Sequence, residues 1–140
     1  MVVDQIFSAT RFGLEYERLR IEAASHNVAM ANTPNQPGHP ARLMRVSAPY
    51  AASFNAMLGD TGHSVPSQPV MLATEASTRE EHDPNDPAAD KNGMVSYPRV
   101  DMVSQMSALM DASRAYEANV RAFNTLRSMA LHALDLGGSA

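Results

Sequence analysis

Histidines and carboxylates are the side chains best suited to chemistry in this chain of 140 residues. His26, His39, His63, His82 and His132 stand singly, without the HExxH or His-x-His spacing that sets two imidazoles on one face. The acidic run Glu80-Glu81-His82-Asp83-Pro84-Asn85-Asp86-Pro87-Ala88-Ala89-Asp90-Lys91-Asn92-Gly93 ends like an EF-hand loop, with glycine at its sixth position. In that register the first ligand position is Ala88 and the twelfth is Arg99, so the required carboxylates are missing. The run reads instead as a loop braced by Asx-turns and prolines. Glu75, Glu80, Glu81 and Asp83 lie in the most polar stretch, where the burial that acid–base work needs is not expected. No GxSxG, GxGxxG or Walker-type motif is present, and Ser25-His26 and His63-Ser64 are mere sequence neighbours. The sequence therefore predicts no catalytic residue, no metal ligand, no cofactor and no small-molecule substrate.

Composition points the same way. Lys+Arg 11 against Asp+Glu 15 leaves a net charge of -4, the wrong sign for a phosphate-binding surface, so nucleic acid is not an expected partner. The absence of cysteine rules out a disulfide framework and thiol chemistry. No run of 18 apolar residues exists to span a membrane, and Asp4 stands where a secretion signal carries positive charge. The chain is 44% hydrophobic, much of it alanine, with only 6% aromatic residues, which makes for a thin core.

The elements that must carry any function are set by proline. All nine prolines fall between Pro34 and Pro98, so both ends are free to form long helices. Phe7, Leu14, Ile21 and Val28 recur every seven residues, and Ala9, Phe12, Tyr16, Leu19 and Ala23 form a second stripe. This predicts a helix over about residues 4–31, stopped at Asn32-Thr33-Pro34, with Gly13 marking a bend or a close helix approach. In the last segment Met102, Met106, Leu109, Ser113, Tyr116, Val120, Phe123, Arg127, Ala130 and Leu134 alternate at spacings of 4 and 3, a coiled-coil seam. Leu126, Met129, Ala133 and Leu136 add a side stripe, and Gly137-Gly138 supplies the stop. Two stripes per helix require two neighbours. Of the ten methionines, Met102, Met106 and Met129 sit on these stripes, where flexible thioethers fill gaps between helices.

The middle is β-prone. Leu43 to Val46 and Val70 to Ala73 are short apolar runs, and Asn92-Gly93 is the preferred pair for a two-residue hairpin turn within a β element over about Glu80 to Tyr97. The fold class that follows is α+β. Long N- and C-terminal helices pair as a discontinuous coiled-coil layer, with helical segments over residues 1–35 and 100–140 and a small Pro-rich β-containing domain over 36–99.

Three stretches carry a family resemblance. His26-Asn27-Val28-Ala29-Met30-Ala31-Asn32-Thr33-Pro34 resembles the NxAxANT signature closing the first helix of bacterial flagellar rod and hook axial proteins. The passage from Asp83 to Val100 is similar to the DPxHPxADxxGYVxYPNV passage of proximal-rod members of that family, and Ala112-Ser113-Arg114-Ala115-Tyr116-Glu117-Ala118-Asn119-Val120 to their ASRAYxANV helix. The sequence departs at Met30, Asp86, Met94 and Arg99, where the family has asparagine, histidine, tyrosine and asparagine.

The resemblance implies a structural subunit of the flagellar rod in the periplasm. Its partners would be other rod proteins and copies of itself, and it would travel through the flagellar type III export apparatus without a cleaved signal. The expected assembly interface comprises Leu14, Ile21, Asn27, Val28, Asn32, Leu109, Arg114, Tyr116, Asn119, Val120, Phe123 and Leu126. Asn27, Asn32 and Asn119 would act as polar pegs or as ordinary caps, and Arg114 would pair with a carboxylate across subunits or extend into solvent. A soluble helical adaptor or export chaperone, and an enzyme built on the middle segment, are the alternatives from other classes.

Overall fold

The computed structural model describes residues 2–36, 39–48 and 68–137, with side chains described from Phe7 onward except at Leu134, Leu136 and Gly137. His63, Gly138 and the side chains of Leu134 and Leu136, all used in reading the sequence, lie outside the described residues. Two helices frame the molecule: α1 spans Val2–Met30 and α2 spans Met102–Gly137. At 1.5 Å per residue they are about 43 and 54 Å long.

Both helices have sequence-encoded ends. After α1 the chain turns, with the Thr33 amide donating to the Met30 carbonyl at 3.0 Å and the Thr33 hydroxyl to the Ala29 carbonyl at 3.2 Å. Pro34 then forbids a further helical turn. Asp101 caps α2: its Oδ1 accepts the amides of Val103 at 3.1 Å and Ser104 at 3.2 Å, satisfying two of the donors a helix start leaves open.

The helices run antiparallel. Asn27 faces Gln105, Gly13 faces Asn119, and Phe7 faces Phe123, so chain positions rise on one helix as they fall on the other. Between the first two pairs each helix advances two heptads, which keeps one seam in register. The most buried apolar positions within the helices are small: Ala23, Ala24 and Ala112 are 5%, 3% and 0% exposed. The larger apolar side chains at Leu14, Ile21, Val28, Leu109, Tyr116, Val120, Phe123 and Leu126 are only partly buried.

This corrects the seam read from the sequence. Leu109, Ser113, Tyr116, Val120 and Phe123 are all partly buried, but Gln105 faces α1 where Met106 was expected, and Ala112 and Asn119 turn inward as well. Met106 is 51% exposed, and the Ser113 hydroxyl donates to the Leu109 carbonyl at 2.8 Å. Close approach of two backbones selects small and amide side chains, which an apolar periodicity does not count.

Strands β1 (Arg42–Ser47) and β2 (Val70–Glu75) pair antiparallel from Arg42↔Glu75 to Ser47↔Val70, and β1 packs against α1. Strands β3 (Thr78–His82) and β4 (Met94–Pro98) form a second antiparallel ladder, from Thr78↔Pro98 to His82↔Met94. Within β4, Val95 and Pro98 are fully buried. Asn35 ties the linker to β4: its amide donates to the Ser96 carbonyl at 2.7 Å, and its side chain bonds the Ser96 hydroxyl at 3.1 Å and the Ala41 amide at 3.0 Å.

The β3–β4 connection is longer than the two-residue turn that Asn92-Gly93 suggested. It runs from Asp83 to Gly93, and its last part is a three-residue loop: the Gly93 amide donates to the Asp90 carbonyl at 3.0 Å, and the Asp90 amide to the Met94 carbonyl at 2.9 Å. Gly93 has φ +73°, the left-handed glycine that such a loop requires.

Candidate assembly surface

Of the residues that sequence reasoning placed at an interface, Asn32 and Arg114 are exposed, the large apolar ones are partly buried, and two asparagines make contacts within the chain. Asn27 and Asn119 work within the chain. Asn27 is 4% exposed and its carboxamide treats β1 as a strand partner would: Oδ1 accepts the Met44 amide at 2.7 Å and Nδ2 donates to the Met44 carbonyl at 2.9 Å. The same Nδ2 donates to Gln105 Oε1 at 3.0 Å. One side chain therefore joins α1, α2 and the β1–β2 ladder, and its polar atoms are satisfied as burial demands. Asn119 lies over Gly13, where a Cβ would sit 3.1 Å from Nδ2. Asn32 is exposed in the turn after α1.

Gln105, Asn35 and Asp101 were not singled out from sequence, and of these only Asp101, preceding a long apolar periodicity, carried a readable signal.

The exposed apolar residues lie at other positions than those the sequence reading assigned to the interface. Val103, Met106 and Met110 are 77%, 51% and 55% exposed and follow one another at helical spacing along α2. Arg114 continues the row, exposed and without an ion pair among the described residues. Farther along, Met129 and Leu131 are 63% and 52% exposed, where α2 outruns the start of α1. On β2, Val70 and Leu72 are 54% and 41% exposed. Large thioethers and leucines in water at both ends of one helix are costly, since each contributes about 1.5–3 kcal/mol once covered.

Charges are arranged locally. Glu17, only 8% exposed, is held by Arg20 at 2.8 Å, and the Arg20 guanidinium stacks over the Tyr16 ring at 5.7 Å. On the outer face of α1, Arg18 bonds Glu15 at 2.6 Å and holds that carboxyl below its ordinary pKa.

The loop carboxylates turn inward onto their own backbone. Asp83 Oδ1 accepts the Asn85 amide at 3.1 Å, Asp86 Oδ1 the Ala88 amide at 2.7 Å, and Asp90 Oδ1 the Asn92 and Met94 amides at 2.7 and 2.9 Å. These are the Asx-turns the sequence suggested. The Met94 amide first, and the Asn92 amide next, hold the Asp90 carboxyl below its usual range. The Tyr97 phenol is pushed up by desolvation, then by the field of Asp86, Glu81 and Asp83. Arg79 lies 4.9 Å over the Tyr97 ring and bonds Glu81 at 3.2 Å. Among the described residues, His, Asp and Glu gather nowhere in the groups of three that would hold a metal ion.

The helix pair thus has an amide-locked internal register and leaves large apolar side chains of α2 open to solvent. Comparison with known proteins supplies the rest. Residues 91–136 match the family described as flagellar basal body rod FlgEFG protein C-terminal. Over 98% of its length the chain is 33% identical to the flagellar basal-body rod protein FlgC of Escherichia coli O6:H1, covering 99% of that protein. It is 34% identical to FlgC of Salmonella typhimurium at the same coverage, and 35% identical to FlgC of Borreliella burgdorferi over 87% of this chain and 89% of the relative. The chain belongs to the FlgC family of flagellar basal-body rod proteins, which are structural components and not enzymes.

Proposed function

We propose that this subunit builds the rod through its terminal helices, docking on other rod proteins and on copies of itself, and that the many repeated contacts transmit torque. In this reading α1 and α2 form a discontinuous coiled-coil layer with the helices of neighbours, and the β-containing segment over residues 36–99 is a small domain carried beside it. Leu14, Ile21, Val28, Leu109, Arg114, Tyr116, Val120, Phe123 and Leu126 contribute to the contact surface. Asn27, Asn32 and Asn119 contribute by fixing the shape of the layer. The subunit works in the periplasmic part of the basal body, and it reaches that place through the flagellar type III export apparatus without losing a signal peptide.

The observation that supports assembly most directly is the exposed row Val103, Met106 and Met110 on α2. An uncovered apolar row of this kind marks an interaction surface. The row is tested by Met106→Asp combined with Met110→Asp. Both side chains are already in water, so the variant keeps its helix content and melting temperature. In cells whose own copy of the gene is deleted it fails to restore swimming and is missing from isolated basal bodies. Normal motility with the double variant contradicts the reading.

A further inference from the structure

We propose that Asn92 is a latent site of spontaneous backbone modification, an asparagine able to close into a succinimide, and that Asp90 keeps the site shut for as long as the β3–β4 loop is folded.

Asn92 is the one asparagine of the chain that is followed by glycine. Such a pair is chemically labile because no side chain shields the glycine nitrogen. That nitrogen attacks the side-chain carbonyl carbon of Asn92; a new C–N bond forms, the Cγ–Nδ2 bond breaks, and the amide proton leaves with Nδ2 as ammonia. Water then opens the cyclic imide at either carbonyl, giving aspartate or isoaspartate. Solvent water is the co-reactant, and Asn92 is exposed to it.

The folded loop withholds the attacking atom. The Gly93 amide donates to the Asp90 carbonyl at 3.0 Å, and the Gly93 carbonyl accepts the Asp83 amide at 2.9 Å, so the peptide groups on both sides of Gly93 are fixed. Lys91 and Asn92 are the central residues of this turn. Among the described residues only glycine has a positive φ, which excludes turn types I′, II and II′ and leaves type I, with ψ of about 0° at Asn92. That ψ turns the Gly93 nitrogen toward the Asn92 amide nitrogen and away from Cβ, whereas ring closure needs it beside Cβ. Asp90 holds the turn in this state: its Oδ1 accepts the Asn92 amide at 2.7 Å and the Met94 amide at 2.9 Å, one on each side of the labile bond.

Conversion has a structural consequence. Isoaspartate routes the main chain through its β-carbon and lengthens a turn whose flanking strands pair as His82↔Met94, so a chain converted while unfolded cannot rebuild that rung in register. Folding thereby protects Asn92, and conversion before folding blocks the β3–β4 hairpin.

The test follows isoaspartate at Asn92 by enzymatic methyl transfer to the isoaspartyl carboxylate and by peptide mass spectrometry, in the purified full chain held at mildly alkaline pH. Chain unfolded in guanidinium chloride is expected to convert about tenfold faster or more than folded chain, whose reaction waits on local opening. Asp90→Ala, kept folded, converts several-fold faster than the parent. Arg20→Met, which weakens the molecule far from the loop, stays at the parent rate. A folded parent that converts as fast as the unfolded chain overturns the proposal, as does an Asp90→Ala chain no faster than its parent. Equal acceleration in Arg20→Met means that global unfolding controls the reaction and removes the role of Asp90. Converted chain, isolated and refolded, is expected to lack exchange protection at Val95 and Tyr97, and an intact ladder there overturns the claim that conversion blocks the hairpin.

Discussion

The carboxamide of Asn119 lies over the bare α-carbon of Gly13, with Nδ2 at 3.1 Å and Cγ at 3.5 Å from where a Cβ would be. This contact sets how closely α1 and α2 approach halfway along their overlap. It also couples two costs: glycine weakens the helix by about 1 kcal/mol relative to alanine, and alanine would displace the amide. Gly13→Ala alone is therefore expected to be close to neutral, while Gly13→Ala with Asn119→Ala raises stability by about 1 kcal/mol. A double-mutant cycle in urea measures the coupling, and strict additivity would mean that the two positions do not interfere.

Asn27 is the joint between helices and sheet. Asn27→Leu keeps its size but leaves the Met44 amide and carbonyl and the Gln105 side chain without their partner, a loss of about 2–4 kcal/mol. Thermal unfolding followed by circular dichroism should show a melting temperature lower by about 5–15 °C. An unchanged melting point would mean that water replaces all three bonds.

Removing Arg20 strands a nearly buried carboxylate. In Arg20→Met the apolar stem is kept but the 2.8 Å bond to Glu17 is lost, and the variant is expected to be less stable by about 2–3 kcal/mol. Arg20→Met combined with Glu17→Gln recovers most of that loss, because the charge left without a partner is gone. Chemical denaturation of the three proteins separates the outcomes.

The β3–β4 loop should respond to acid. Asp90 has a lowered folded pKa, so the stability it contributes is complete above the ordinary aspartate value of about 3.9 and is lost as pH falls through the lower folded value. Amide exchange at Asn92 and Met94 should therefore accelerate below about pH 4 relative to the rest of the chain. In Asp90→Ala these amides exchange fast at every pH, and a retained acid dependence there would assign the effect to another group.

Gly93 tests the same loop sterically. A Cβ there meets His82 Cε1 at 3.0 Å and Pro84 Cβ at 3.1 Å, in a backbone conformation with φ +73°. Gly93→Ala is expected to cost about 1–3 kcal/mol and to loosen the β3–β4 ladder, read as faster exchange at Val95 and Tyr97.

Much of the architecture was written in local chemistry. Proline confined to residues 34–98 left both ends free for helices, Asn32-Thr33-Pro34 ended the first, and Leu43 to Val46 and Val70 to Ala73 mark the two strands that pair as β1 and β2. The braced acidic loop followed from aspartates that bond the backbone two residues on. Family membership was likewise legible, because motif order and spacing survive in sequence. The length of the β3–β4 connection was not, since the pairing of His82 with Met94 depends on strands meeting across the loop.

Local periodicity thus determined which residues become helix and strand, and the excess of apolar stripes over what one partner can cover. Which stripe turns inward was decided only in three dimensions. Antiparallel helices approach closely where Gly13 leaves room for Asn119, the small Ala23, Ala24 and Ala112 are buried, and Asn27 and Gln105 bond across the gap. Met106 and Met110 are left in water by that choice. A one-dimensional count of hydrophobicity ranks methionine above alanine or glutamine. The distance between two backbones reverses that order.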